Sequence, residues 1–252
     1  MMIAVRDTVT VFVRQALPTL RTPASLVFGM MQPLVFLVFF GPLLGGLTGL
    51  PVDSSWQWFV PSVLMMLALF GTTATGYDLL TEMQTGSYER VMVTPLSRAS
   101  ILAGRTLHDV AILWTQAVIV VAVTLPFGFR LKPGGALLGL LLLGVLGLAV
   151  GALSHALAVA CRNNSDIFYG VQQTLLFPLL FLSGLMLPLE VGPVWMRIAS
   201  RFNPLTYVVE AIRAHFEGAF VLAVVGPGWV AALTLAVVGL AIATRVLRRT
   251  AD

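Results

Sequence analysis

The sequence predicts an all-α integral membrane protein with about six spanning helices, and two observations support this fold class. Of the 252 residues, 58% are hydrophobic and only 10% are charged, whereas a soluble domain carries roughly a quarter charged residues. The apolar residues also form runs of about 20 residues, the length that crosses a hydrocarbon core of about 30 Å. Because these runs do not alternate between apolar and polar positions, they do not fit the strands of a membrane barrel.

Six segments have this length and almost no charged side chains. A charged side chain at the bilayer centre costs about 2.5–3.5 kcal/mol on insertion scales, so its absence indicates a span. The predicted spans, which form one transmembrane domain over residues 1–252, are 24–50, 56–77, 110–129, 133–160, 167–189 and a sixth within 219–244 that starts near Gly226.

The distribution of basic residues predicts that both termini lie in the cytoplasm, because cytoplasmic loops carry an excess of Lys and Arg. With this orientation, ten of the fifteen basic residues are cytoplasmic: Arg6, Arg14, Arg21, Arg90, Arg98, Arg105, Arg162, Arg245, Arg248 and Arg249. The formal net charge of +4 does not indicate a nucleic-acid partner, since the basic residues form no continuous basic face.

Residues 1–23 are predicted to form an amphipathic helix that lies on the membrane surface. Apolar side chains recur at helical spacing on one side, and polar and basic side chains suited to lipid headgroups lie on the other. Pro18 is expected to disturb the last turn, and Thr22-Pro23 to end the helix before the first span. The apolar side comprises Val5, Val9, Phe12, Val13, Ala16, Leu17 and Leu20, and the polar side Asp7, Thr10, Arg14 and Arg21.

Residues 82–106 are predicted to form a cytoplasmic loop that contains a short helix. Thr94-Pro95 breaks the chain, and Ser97 can cap a helix that begins at Arg98. This helix is too short and too charged to span, and it presents arginines together with Ile101 and Leu102. Such a surface suits docking onto a soluble partner, although a plain interfacial loop fits these residues equally well.

Residues 190–217 are too polar to cross the bilayer and too regular to be a random loop. A short helix over 194–202 ends at Asn203-Pro204, and a second helix follows over 205–216. Glu210, Arg213 and Glu217 have the spacing of helical ion pairs. We therefore predict a re-entrant helical hairpin in the outer leaflet, with its backbone protected by protein or water. Its apolar stripe is Leu205, Val208, Val209, Ile212 and Phe216, opposite Thr206, Glu210, Arg213 and Glu217.

Three blocks of sequence resemble one known family. GSYERVMVTPLSRASILAGR lies between the second and third spans, and FLSGLMLPLEVGPVW is followed by SRFNPLTYVVEAIRA before the last span. In content and order these blocks resemble the type-2 ATP-binding-cassette exporter permeases over essentially the whole chain. The short length and the early MQPLVFLVFF run are most similar to the daunorubicin-resistance-type drug exporters of actinobacteria.

This resemblance implies a complex of two permeases and two ATPase subunits in a bacterial cell membrane. It implies a coupling helix within 89–105 that rests in a groove of the ATPase, and an outer hairpin that helps to close the exit. The implied coupling residues are Glu89, Arg90, Thr94, Pro95, Ser97, Arg98, Ile101, Leu102 and Arg105. The implied gate residues are Asn203, Pro204, Leu205, Thr206, Tyr207, Glu210, Arg213 and Glu217.

The sequence contains no phosphate-binding loop of the form G-x-x-x-x-G-K-[ST]. Its only lysine, Lys132, precedes Pro133 in a predicted outer turn. We therefore expect no enzymatic activity and no cofactor in this chain, with ATP and Mg²⁺ bound by the partner subunit.

Two other classes of function have weaker support. An intramembrane enzyme needs converging polar groups, and His155 and the His108-Asp109 pair are its best candidates; three histidines and one cysteine are few for a metal site. An ion-coupled carrier uses acidic residues deep in the membrane, whereas Asp78, Asp109 and Asp166 lie near predicted span ends.

The charge-free spans favour a hydrophobic or amphipathic cargo such as a drug or natural product. A polysaccharide or lipid-linked glycan is the alternative cargo. Aromatic residues could line a path for a glycan, but aromatic residues near span ends are usually interfacial anchors. The candidates are Trp56, Trp58, Phe59 and Trp114.

Overall fold

The computed structural model describes residues 2–44, 55–88, 97–162, 164–186, 188–189 and 192–249, and within these ranges it contains helices and no strand. This confirms the predicted all-α fold class. The helices are α1 (Met2–Arg21), α2 (Pro23–Leu44), α3 (Ser55–Met66), α4 (Thr72–Gln84), α5 (Arg98–Thr124), α6 (Pro133–Ala160), α7 (Ser165–Phe181), α8 (Val194–Ser200), α9 (Pro204–Glu217) and α10 (Leu222–Arg249).

Four helical stretches in the described residues are long and apolar enough to cross a bilayer: Trp56–Gln84, Ser100–Phe127, Pro133–Ala160 and Leu222–Val246. The first of them joins α3 to α4 through one π-helical turn, Leu67–Gly71. The hydroxyl groups of Thr72 and Thr73 donate to the carbonyls of Ala68 and Leu69 in this turn. These bonds help to satisfy the backbone where the regular helical ladder is interrupted. The predicted second span, 56–77, is thus part of one continuous helical segment that ends at Gln84.

The structure differs from the predicted span boundaries at three places. The short helix expected after Ser97 and the third span form one helix, α5, because no glycine or proline separates them after Gly104 until Pro126. The fifth segment is helical for only 17 residues, since α7 ends at Phe181 and Gly184 turns the chain with φ of 71°. The last helix begins at Leu222, four residues before Gly226.

The predicted first span coincides with α2 through Leu44, and residues 45–50 lie outside the described residues. Within α2, the stretch Gly29–Phe40 is apolar. The total of six spans therefore stays a prediction.

Helix α1 packs on α5 through one narrow face. Val11 is 4% exposed, and a Cβ on Gly104 of α5 would lie 2.7 Å from the Val11 Cβ. The predicted apolar side points away from the protein, because Val5, Val9 and Leu20 are each more than half exposed. An exposed apolar stripe is the arrangement expected of a helix that lies on lipid, and its membrane location stays a prediction.

The core lies where α3, α5, α6, α9 and α10 meet, and it consists almost entirely of apolar side chains. Phe59 of α3, Leu142 of α6 and Phe216 of α9 are each at most 1% exposed. Glycines of α6 let neighbouring helices approach closely, as small residues do in membrane bundles. Phe216, for example, packs over Gly139. Helix α9 is therefore held deep against the bundle.

Candidate coupling site and outer hairpin

The two helices that border the predicted coupling loop are well defined. Helix α4 ends at Gln84, and Gly86 turns the chain with φ of 71°. On the far side, Ser97 is the N-cap of α5, and its Oγ accepts from the Ser100 backbone N–H at 3.1 Å. The predicted cap is thus confirmed. Glu89, Arg90, Thr94 and Pro95 lie outside the described residues.

The structure corrects the surface expected for Ile101 and Leu102. Both were predicted to offer apolar contacts to a partner, but they are only 5% and 4% exposed. Leu102 packs in a cluster with Ala152 and Ala156 of α6. Because these side chains are already buried within the chain, a partner would contact other parts of the segment. Arg98 begins α5.

Arg105 faces inward and joins the two helices that border the loop. Its guanidinium Nη2 donates to the Glu82 carboxylate of α4, and the two side chains are 8% and 29% exposed. An ion pair this deep is costly to break, because loss of one partner strands the other charge in a poorly solvated site. The pair therefore fixes α4 and α5 to each other beside the loop.

The polar cluster continues one turn further into the bundle. The Asp109 carboxylate lies 3.6 Å from His108 Nδ1 and 3.5 Å from His155 Nε2 of α6. His108 Nε2 is also 3.3 Å from the Thr19 hydroxyl of α1. Polar groups of α1, α4, α5 and α6 thus meet at one end of the bundle. The contact between His155 and Asp109 was not predicted from the sequence, because helical spacing does not show which helices are neighbours.

This cluster does not resemble a metal centre. Among the described residues, no group of three or more His, Cys, Asp or Glu side chains is arranged to hold a metal ion. Asp109 lies between two histidines at distances longer than the 2.7–3.2 Å of ordinary N–H···O hydrogen bonds.

The NPLTY block connects the end of α7 to the start of α9. Asn203 caps α9 by accepting from the Leu205 N–H at 3.0 Å, and its Nδ2 donates to the Leu179 carbonyl at 2.7 Å. The Thr206 hydroxyl contacts the carbonyls of Leu182 and Ser200, and the Tyr207 hydroxyl donates to Arg201. Pro204 occupies the first helical position, which needs no N–H donor. The block therefore orients the hairpin, and its role in gating stays a prediction.

We expect Asn203→Ala to destabilise the protein more than Asn164→Ala does. Both asparagines are N-caps, and loss of a cap costs about 0.5–2 kcal/mol. Only Asn203 also bonds another segment, so its loss should cost about 1 kcal/mol more. Thermal unfolding of the two purified variants in the same detergent tests this order, and an equal shift in both would contradict it.

Arg213, which was predicted to pair with Glu210 and Glu217, is a buried side chain. It is 8% exposed, and its guanidinium Cζ lies 3.5 Å from the centroid of the Trp58 ring. Nη2 donates to Ser62 Oγ at 2.8 Å and to the carbonyls of Gly184 and Leu185 at 3.0 and 3.1 Å. Arg213 thus links α9 to α3 and to the turn after α7. Glu210 is exposed and Glu217 half-buried on the same helix.

A cavity of about 340 Å³ opens beside Arg213, and Trp58, Glu210 and Glu217 contribute to its lining. On the opposite side of α9, the Trp229 indole N–H donates to His215 Nε2 at 3.0 Å. Burial lowers the pKa of His215, and acceptance of this bond also requires an unprotonated Nε2. The hairpin helix therefore presents carboxylates to the cavity while its other polar side chains are used for packing.

Most of the chain matches one family model. Residues 6–216 match the model described as ABC-2 type transporter. The chain belongs to this family. As an ABC-2 permease it is a multi-pass membrane protein and the transmembrane subunit of an ABC transporter, which agrees with the resemblance found in the sequence.

The relatives of this ABC-2 permease include drug-resistance proteins. It is 29% identical over 217 residues to the daunorubicin resistance ABC transporter permease protein DrrB1 of Streptomyces coeruleorubidus, covering 85% of this chain and 76% of that protein. It is 30% identical over 199 residues to the putative transport permease ycf38 of Cyanophora paradoxa, covering 77% and 68%. It is 26% identical over 201 residues to the probable doxorubicin resistance permease DrrC of Mycobacterium tuberculosis, covering 79% and 72%.

Proposed function

We propose that this permease exports a hydrophobic or amphipathic compound, such as a drug or natural product, with energy from separate ATPase subunits. The observation that carries the proposal is the similarity, over most of both chains, to permeases named for daunorubicin and doxorubicin resistance. The apolar character of the four long helices supports it, because an apolar cargo is compatible with apolar helices.

The proposed partners are ATPase subunits and a second copy of the permease. Two ATPase subunits bind ATP and Mg²⁺ and dock on the segment 82–106, while a second permease copy completes the membrane part. The Glu82–Arg105 ion pair supports docking there, because it joins both borders of the loop to the bundle. A displacement of the loop therefore acts on both α4 and α5.

The aromatic residues that could line a glycan path give no support to that alternative. Trp58 is 9% exposed and Phe59 is fully buried, and the Trp114 indole N–H donates to the Leu140 carbonyl. Of the four candidates, Trp58 and Phe59 are thus buried within the chain, whereas Trp114 is 39% exposed.

The experiment that tests the function uses a drug-sensitive bacterial host that expresses the permease with its cognate ATPase. We expect cells with both subunits to accumulate less daunorubicin than cells with the permease and an ATPase whose P-loop lysine is replaced by alanine. The purified permease alone is expected not to hydrolyse ATP. Equal accumulation with the active and inactive ATPase would overturn the proposal.

The proposed orientation in a bacterial cell membrane, with both termini cytoplasmic, is tested separately. Reporter fusions after Arg98 and after Asp252 are expected to report the cytoplasm, and a fusion after Asp53 the exterior. The reason is the excess of arginine in the assigned cytoplasmic segments. Opposite locations for Arg98 and Asp252 would require an odd number of crossings between them and would refute this topology.

A further inference from the structure

The polar cluster around Arg105 contains buried side-chain atoms that make no hydrogen bond. Among the described residues, Arg105 Nε, Asp109 Oδ2 and His155 Nδ1 are buried and have no hydrogen-bond partner. Buried polar groups are normally paired, so three unpaired atoms in one cluster need an explanation. A second arrangement of the same side chains, in which these atoms find partners, provides one.

Arg105 has two carboxylates within reach. It pairs with Glu82 across the α4–α5 contact, and Asp109 lies four residues after it on α5. Residues at this spacing are neighbours on one face of a helix. Asp109 is 5% exposed, and its carboxylate lies 3.5 and 3.6 Å from the two histidines, farther than an ordinary hydrogen bond. Its position one helical turn after Arg105 places its carboxylate on the same face of α5 as the guanidinium.

We propose that Arg105 exchanges Glu82 for Asp109 when the coupling loop moves, and that Asp109 is thereby required to couple ATP hydrolysis to export. This inference rests on the proposed function. When the ATPase displaces the loop, α4 separates from α5 and the Glu82–Arg105 pair opens. A buried guanidinium is not left unpaired, so Arg105 turns to Asp109. Asp109 then leaves His155, and the movement reaches α6.

The exchange has the form of a bistable switch, in which a small shift between packed helices selects one of two sets of contacts. It explains why the cluster contains a second buried acid that is not needed for the resting ion pair. It also assigns different roles to two acids that look alike in the sequence. Glu82 pairs with Arg105 in the resting state, and Asp109 pairs with Arg105 when the loop moves during the transport cycle.

The first test measures the α4–α5 distance in the assembled transporter. Spin labels are placed on the exposed residues Gln84 and Ala103, in a background where Cys161, the only cysteine, is replaced by serine. We expect the distance to lengthen by about 2 Å when a non-hydrolysable ATP analogue is added, which is the usual size of such helix shifts. An unchanged distance would overturn the exchange, without the need for any variant at the cluster.

The second test compares Asp109→Asn with Asp166→Asn in the same complex, at equal membrane abundance. Asp166 is an exposed acid in the first turn of α7, so its variant is the matched control. We expect Asp109→Asn to bind the ATPase and hydrolyse ATP while export per ATP falls by about 5- to 150-fold, the usual range of coupling between sites. Asp166→Asn should export like the wild type. Equal export by both variants, or an equal loss in both, would refute the role of Asp109.

Failure of the proposed function gives a different result. If the wild-type complex assembles but daunorubicin and other apolar compounds are not exported, the proposed function fails before the variants are compared. If the wild type exports and Asp109→Asn exports equally well, only the exchange fails.

Discussion

Replacement of Arg213 by methionine is expected to destabilise the protein by about 1–3 kcal/mol for each buried acceptor that loses its donor. The guanidinium stacks on Trp58 and donates to a hydroxyl and two carbonyls from separate segments. Methionine fills much of the volume but leaves these acceptors without a donor. Since domains are stable by only about 5–15 kcal/mol, the amount of folded protein in the membrane should fall.

Thermal unfolding in detergent and membrane abundance measure this effect. Arg201→Met is the matched control, because Arg201 is an exposed arginine just before the same helix. Arg213→Lys should be intermediate, since lysine keeps the charge but lacks the planar group that stacks on the indole. Equal stability of Arg213→Met and Arg201→Met would show that the buried contacts contribute little.

This expectation differs from what the sequence alone suggested for Arg213. Periodicity placed Arg213 on a polar stripe with Glu210 and Glu217, and an exposed helical pair contributes only about 0.2–0.5 kcal/mol. The stripe was identified correctly, but periodicity does not show which neighbouring element covers it. Trp58 and Ser62 lie on another span, and their approach to Arg213 depends on tertiary packing.

Dependence on tertiary packing also explains which of the other sequence predictions were confirmed and which were wrong. The apolar runs predicted the long helices because lipid selects directly for residue type. The Ser97 cap and the Asn203-Pro204 start of α9 were predictable because capping depends on nearby residues. The early end of α7 was missed, since the residues after Phe181 are as apolar as those before it. The burial of Ile101 and Leu102 was missed because α5 continues without a break.

Two adjacent glycines of α6 give the second large effect, and they should respond in opposite directions to the same substitution. A Cβ on Gly135 would lie 1.8 Å from the His215 carbonyl oxygen, whereas a Cβ on Gly134 would meet nothing within 4 Å. That carbonyl also accepts from the Gly218 N–H at 2.9 Å and so helps to end α9. Because the obstacle is backbone, an alanine at position 135 must push α6 and α9 apart.

We expect Gly135→Ala to destabilise the protein by about 1–3 kcal/mol or more, the usual cost of overpacking. Gly134→Ala should be neutral or stabilising by up to about 1 kcal/mol, because alanine has less backbone freedom to lose in a helix. Thermal unfolding of both variants checks the sign of each change in stability, and daunorubicin export checks the consequence for the hairpin.

If the hairpin gates export, Gly135→Ala should reduce transport even in the folded fraction, because the displaced end of α9 carries Arg213. Equal stability of the two variants would contradict the close contact between α6 and α9. A stable Gly135→Ala protein with normal export would show that close packing of α9 against α6 is not needed for transport.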